Sequence, residues 1–155
     1  MKLRIKQNFF SMSDSFNIFD ENMNVKYIAK SNFFSFGYIM KIHTANNKEL
    51  ACIKQKMFSL LPEFQVYIKG EYRGCIKKRF TLFNNKYELE YREWHVVGDF
   101  LGWDYDIFSH CSAEVHIRKE IFNLTDTYTI EIDYPEDEID ALMVVLAIDM
   151  ANRSK

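Results

Sequence analysis

Ala141-Leu-Met-Val-Val-Leu-Ala-Ile148, closed by Asp149, is the one long apolar run in this 155-residue chain. Even extended to Ile139 and Ala151, it falls well short of the ~20 residues a membrane-spanning helix needs. Ala141, Leu142, Met143, Leu146 and Ala147 favour helix over strand. Pro135 and the acids Glu136-Asp137-Glu138 stand where a helix N-terminus favours them. The pattern predicts a helix over 136–151, about 24 Å long. Its middle is apolar on every face, so the rest of the fold must surround it. Asp149 is the exception, because a buried carboxylate costs several kcal/mol unless paired. It is expected to pair with a Lys, Arg or Tyr of the surrounding wall, or to reach solvent at the end of the wall. Ile139, Leu142, Val145, Leu146 and Asp149 are thus the expected structural residues of a central pillar.

Upstream, period-2 alternation dominates and reads as strands. Phe10-Ser11, Phe34-Ser35 and Phe58-Ser59 recur at a spacing of 24 residues, with a looser copy at Phe80-Thr81, which marks one strand pair per copy. About twelve strands are expected, near 2–6, 15–20, 24–30, 36–43, 48–56, 64–69, 72–80, 86–92, 94–98, 102–108, 113–119 and 127–134. Turn chemistry at Glu21-Asn22, Asn46-Asn47, Gly70-Glu71 and Asn84-Asn85 makes neighbouring strands antiparallel. Twelve strands close into a barrel too wide for wall side chains to fill, and an all-round apolar helix needs walls. The expected fold is therefore an all-β closed antiparallel barrel around a buried C-terminal helix, one domain over 1–155. Its inward faces should be Phe16/Ile18, Tyr38/Met40/Ile42, Phe64/Val66/Ile68, Leu89/Tyr91 and Ile130/Ile132.

Ile5-Lys-Gln7, Phe10-Ser11 and Phe16-Asn-Ile-Phe-Asp20 resemble the start of the LURP-one-related family of the tubby-like superfamily. So do Ile53-Lys-Gln-Lys56 with Phe58-Ser-Leu-Leu-Pro-Glu-Phe64, and the closing Ala-Ile-Asp149. The resemblance spans essentially the whole chain and implies a twelve-stranded barrel around a hydrophobic C-terminal helix. Family members carry Gly in the turns after the Asp of the first two repeats, where this chain has Met23 and Asn47. Asn tolerates positive φ and Met does so at greater cost, so the first turn is expected to be built differently. The resemblance implies little about activity. Tubby domains bind phosphoinositides and the related scramblases are tied to membranes and calcium, but the fold alone confers neither.

Twenty Lys+Arg against 22 Asp+Glu leave a formal charge of −2, with no overall positive field to gather nucleic acid. Cys52, Cys75 and Cys111 are odd in number and widely spaced, so they read as reduced thiols. The N-terminus alternates charged and apolar residues where a signal peptide is unbroken, so a cytoplasmic location is expected, including the membrane periphery.

The sequence contains no Gly-x-Ser-x-Gly, Walker loop, Gly-x-Gly-x-x-Gly or His-Glu-x-x-His, so no catalytic residues and no cofactor are expected. Asp20-Glu-Asn-Met-Asn24 begins like a calcium loop but has Val25 and Ser31 where Gly and Glu belong, and reads as a hairpin turn. Asp99, Asp104 and Asp106 are weak cation candidates, and His95, His110, Cys111 and His116 fit no zinc spacing. The basic residues remain. Lys2, Arg4 and Lys6 share one strand face, Lys54 and Lys56 another, and Lys77 and Arg79 a third, with Lys78 opposite. Ordinarily such residues make a solvated wall. Lys54, Lys56, Lys77, Lys78 and Arg79 are the candidates for meeting anionic lipid headgroups. The expectation is a non-enzymatic binding or scaffold module at an anionic membrane surface. Its alternatives are a small hydrophobic-ligand carrier and, more remotely, an enzyme.

Overall fold

Strands form wherever apolar and polar residues alternate, because alternate side chains point to opposite faces. The computed structural model describes residues 1–6, 15–34, 37–80, 85–120 and 127–153. The strands are β1 (Lys2–Lys6), β2 (Ser15–Phe19), β3 (Val25–Phe34), β4 (Gly37–Thr44), β5 (Glu49–Gln55) and β6 (Glu63–Ile68). They continue as β7 (Glu71–Phe80), β8 (Asn85–Leu89), β9 (Trp94–Asp99), β10 (Asp104–Ser109), β11 (Ser112–Glu120) and β12 (Thr127–Ile132). Each pairs antiparallel with its sequence neighbours, and β1 pairs with β12 to close a twelve-stranded barrel. Closure leaves no unpaired sheet edge.

Pro135 then opens a 3-10 turn (Pro135–Asp137), which runs into α1 (Glu138–Arg153). The expected helix over 136–151 is thus present, its last turn slightly longer. Ala141 to Met150 are all buried, including Leu142, Val145 and Leu146 at 0% exposure. They join one core with inward residues from the strands, such as Leu3, Ile18, Ile42, Ile53, Phe64, Ile76, Ile107 and Ile130. The helix is the pillar of the barrel, and Ile139 packs half-buried against the same core. Asp149 is 5% exposed, and its charge acts on the fully buried Tyr105 hydroxyl, which burial first and Asp149 second push well above the usual phenol range.

Three of the expected inward residues, Tyr38, Ile68 and Tyr91, pack against the core but are only partly buried. Tyr38 and Ile68 lie near the strand ends. Tyr91 is not on a strand at all, because β8 ends at Leu89 and Glu90–Glu93 turn. The turn is closed by Arg92 N–H donating to the Leu89 carbonyl at 3.2 Å and Trp94 N–H to that of Arg92 at 2.7 Å. The expectation for the first turn also changes. Met23 takes φ +64° and Asn47 φ +63°, so Met23 adopts the left-handed conformation without glycine's freedom. Asp20 holds it there by accepting from the Asn22 and Asn24 N–H groups at 2.9 Å each. Of the repeat, Phe34 and Phe80 end β3 and β7, while Phe58-Ser59 lies between β5 and β6. Phe10-Ser11, Ser35, Thr81 and the turn residue Asn84 lie outside the described residues.

Candidate functional site

The up-and-down order gives the barrel two unlike ends. At the end where the helix enters, the connections are polar: Asp-Glu-Asn-Met-Asn24, Ala-Asn-Asn-Lys48, Lys-Gly70, Glu-Tyr-Arg-Glu93 and His-Cys111. At the opposite end, the two described connections read Lys-Met-Phe-Ser-Leu-Leu-Pro62 and Phe-Leu-Gly-Trp103. The helix C-terminus points to this second end, where the Asn152 amide donates to the Phe100 carbonyl at 3.0 Å.

The polar end is a latch on the helix. Arg92 pairs with Asp137 and, at 2.7 Å, with Asp140, while the Tyr91 hydroxyl donates to Asp140 at 2.6 Å. The Arg92 guanidinium also lies 4.3 Å from the Trp94 ring centroid. Across the mouth, Lys26 pairs with Glu138 at 2.5 Å. Burial first, and the Glu138 carboxylate second, raise the Tyr27 phenol well above its usual range.

The second end carries the sequence's basic candidates. Lys77, Lys78 and Arg79 on β7 line a recess of about 170 Å³ with Ser59–Glu63. Lys56 joins them through Glu63, which lies 3.2 Å from Lys56 and 3.9 Å from Lys77. Burial pushes the Glu63 carboxyl up, but hydrogen bonds from Lys56 and Cys75 and the Lys77 charge outweigh it and hold it below the usual carboxylate range. Lys77 also pairs with Glu90, which raises its ammonium pKa, and Arg79 pairs with Glu88 at 3.1 Å, which Lys86 also reaches at 3.7 Å. Lys78 also lies 5.9 Å from the Tyr87 ring centroid. Lys54 stands apart, 4.5 Å from the Tyr67 ring centroid, and lines a separate outer cavity of about 500 Å³ with Lys41, Glu49 and Cys52. So four of the five candidates gather around one loop and the fifth sits farther along the wall. Of the other basic set, Lys2 pairs with Glu131 at 2.6 Å and Arg4 donates to the Glu21 carbonyl at 3.0 Å, both at the polar end. The Lys6 side chain lies outside the described set.

The loop they gather around has a feature that sequence reasoning misses. Phe58 is 99% exposed, Leu60 106% and Met57 47%. The segment is nonetheless well held. Lys56 N–H donates to the Glu63 carbonyl at 2.9 Å, the Ser59 hydroxyl to the Lys56 carbonyl at 3.1 Å, and Lys78 N–H to the Pro62 carbonyl at 3.0 Å. Leu101, on the other described connection of this rim, is 70% exposed. The available signal is an apolar run at a hairpin end, where polar turn residues are the rule.

The remaining polar candidates are used locally. Asp99 accepts from the Leu101 and Gly102 N–H groups at 3.1 and 3.0 Å, capping a turn. Asp106 binds His116 at 2.8 Å and Arg118 at 2.7 Å, and Asp104 lies 3.3 Å from Arg118. His110 pairs with Glu93 at 2.7 Å, and His95 stacks on Phe108, where burial lowers its pKa. Among the described residues, no group of three or more His, Cys, Asp or Glu is placed to hold a metal ion. Cys52 and Cys75 are buried free thiols, and Cys111 is exposed. No described helix is long and apolar enough to cross a membrane.

A model of the family described as LURP-one-related matches residues 1–149. The uncharacterized protein YxjI of Bacillus subtilis (strain 168) is 26% identical over 150 residues, which covers 97% of this chain and 93% of that protein. A protein of Arabidopsis thaliana with an X-ray structure superposes with a TM-score of 0.64 at 14% identity, covering 97% of this chain and 91% of that one. At that identity the likeness speaks for the fold alone.

Proposed function

The chain belongs to the LURP-one-related family, and from that premise we propose that it is a non-enzymatic binding module which docks at anionic phospholipid headgroups. The observation that carries this reading is the gathering of Lys56, Lys77, Lys78 and Arg79 around one recess at one end of the barrel. With Lys86, these cations number five against the three neighbouring carboxylates Glu63, Glu88 and Glu90. An excess of about two charges near a negatively charged leaflet is worth about 2 kcal/mol, an attraction of only tens of millimolar on its own. Binding of this kind is reversible and salt-sensitive, as suits a peripheral protein at the cytoplasmic face.

The carrier reading is weakened by the helix, whose side chains occupy the bore that a hydrophobic ligand would need. The test is sedimentation with vesicles of phosphatidylcholine alone, or mixed with phosphatidylserine or phosphoinositides, at low and physiological salt. Binding is expected to the anionic mixtures, to weaken with salt, and to weaken further in Lys78→Ala/Arg79→Ala. Absence of binding at low salt, where attraction is strongest, refutes the reading.

A further inference from the structure

Charge alone does not explain why the loop at the centre of the basic cluster presents its largest apolar side chains to water. Phe58 and Leu60 project fully from the segment between β5 and β6. They do not fall outward for want of anchoring, since backbone bonds tie both ends of the segment to Glu63 and Lys78. Two fully exposed apolar side chains thus stand beside the recess that Lys77, Lys78 and Arg79 line. A protein partner would need a matching cavity for each projection, whereas acyl chains close around any shape. Cations beside exposed apolar side chains can meet the headgroup layer while those side chains enter more deeply. The opposite end of the barrel has polar turns and the ion-paired latch of Arg92, Asp137 and Asp140.

We infer that Phe58 and Leu60 form a wedge that enters the acyl layer of an anionic bilayer, so that the barrel stands with the C-terminal end of its helix toward the membrane. This rests on the headgroup reading above and adds depth and orientation to it. Leu101, exposed on the same rim, gives a second point of contact.

The experiment places one added indole at each end in separate variants, Phe58→Trp and Tyr134→Trp, and uses phosphatidylcholine–phosphatidylserine vesicles whose acyl chains carry bromine. Emission is taken as a difference from the parent, whose Trp94 and Trp103 are buried. On vesicle binding, the difference emission of Phe58→Trp is expected to shift to the blue and be quenched, while that of Tyr134→Trp stays unchanged. The exposed double substitution Phe58→Ser/Leu60→Ser is expected to leave the melting curve in place and weaken vesicle affinity by at least about tenfold. Binding of Phe58→Trp without quenching, or a serine variant within about twofold of the parent, overturns the wedge and leaves the headgroup reading standing. Quenching in Tyr134→Trp overturns the orientation. Failure of the parent to bind at low salt overturns both readings, and self-association abolished by the serine variant would then assign the loop to a second copy of the chain.

Discussion

Ending the chain at Pro135 removes the pillar and leaves every strand in place, so the consequence can be worked from burial. The truncation strips out Leu142, Met143, Val144, Val145, Leu146, Ile148 and Met150, each no more than 4% exposed. At about 1.5–3 kcal/mol per buried side chain, these seven contribute about 10–20 kcal/mol. That is an upper bound, since unfolded chains already bury some surface. It still matches or exceeds the whole net stability of an ordinary domain, about 5–15 kcal/mol. The inward faces of twelve strands would also lose their contact partners. The shortened chain is therefore expected to aggregate, or to persist as an expanded state that binds a hydrophobic dye and melts without cooperativity. Gel filtration, dye fluorescence and thermal circular dichroism check this. A graded version uses Leu146→Ala in the full chain, which is expected to cost about 2–5 kcal/mol and lower Tm by about 10 °C. A soluble truncation with a cooperative melt, or a Leu146→Ala loss below about 1 kcal/mol, refutes the reasoning that the helix holds up the wall.

The latch gives a second prediction. Arg92→Ala leaves Asp137, whose side chain is 5% exposed, without its cation, and should cost about 3 kcal/mol or more in denaturant unfolding, much of it recovered by adding Asp137→Asn. Met23→Gly relieves a left-handed Met, and should stabilise the fold by up to about 1 kcal/mol after glycine's larger entropy loss, read as a rise in Tm. Glu63 is held below its ordinary 4.5, so its contribution is present above that pH and is lost as pH falls through the lower folded value. Glu63→Gln is therefore expected to be less stable than the parent at neutral pH, and the two unfolding curves should converge in acid.

Strand positions and the pillar are legible in the sequence because both are local patterns. Alternation marks a half-buried strand, and Ala141–Ile148 is apolar on too many sides to be anything but enclosed. Sequence and structure part where distant partners decide. Tyr91 continues an alternating run, yet it leaves the sheet because Asp140, 49 positions later, receives its hydroxyl. Arg92 carries no local sign that Asp137 and Asp140 will meet it. The basic residues can be assigned to faces by counting in twos, but Glu63, Glu88 and Glu90 come from neighbouring strands, and only the register reveals how much charge they cancel. Met23 reads as an obstacle to a left-handed turn, whereas the Asp20 side chain supplies the bonds that hold one. The exposure of Phe58 and Leu60 is hidden for a different reason, because an apolar residue in a short segment reads the same whether it points in or out.

The pairing of β1 with β12 sets Lys2 opposite Glu131, so the barrel's first strand must wait for its last before the ring can shut. At roughly 5–20 residues per second, synthesis of these 155 residues takes about 8–30 s. The segment that will fill the centre emerges only after all twelve strands have been made. Throughout that interval the nascent hairpins present unlined apolar faces, and the closing pairing carries the entropy cost of a loop that spans almost the whole barrel sequence. Until the helix arrives, no other described segment of the barrel lines those faces.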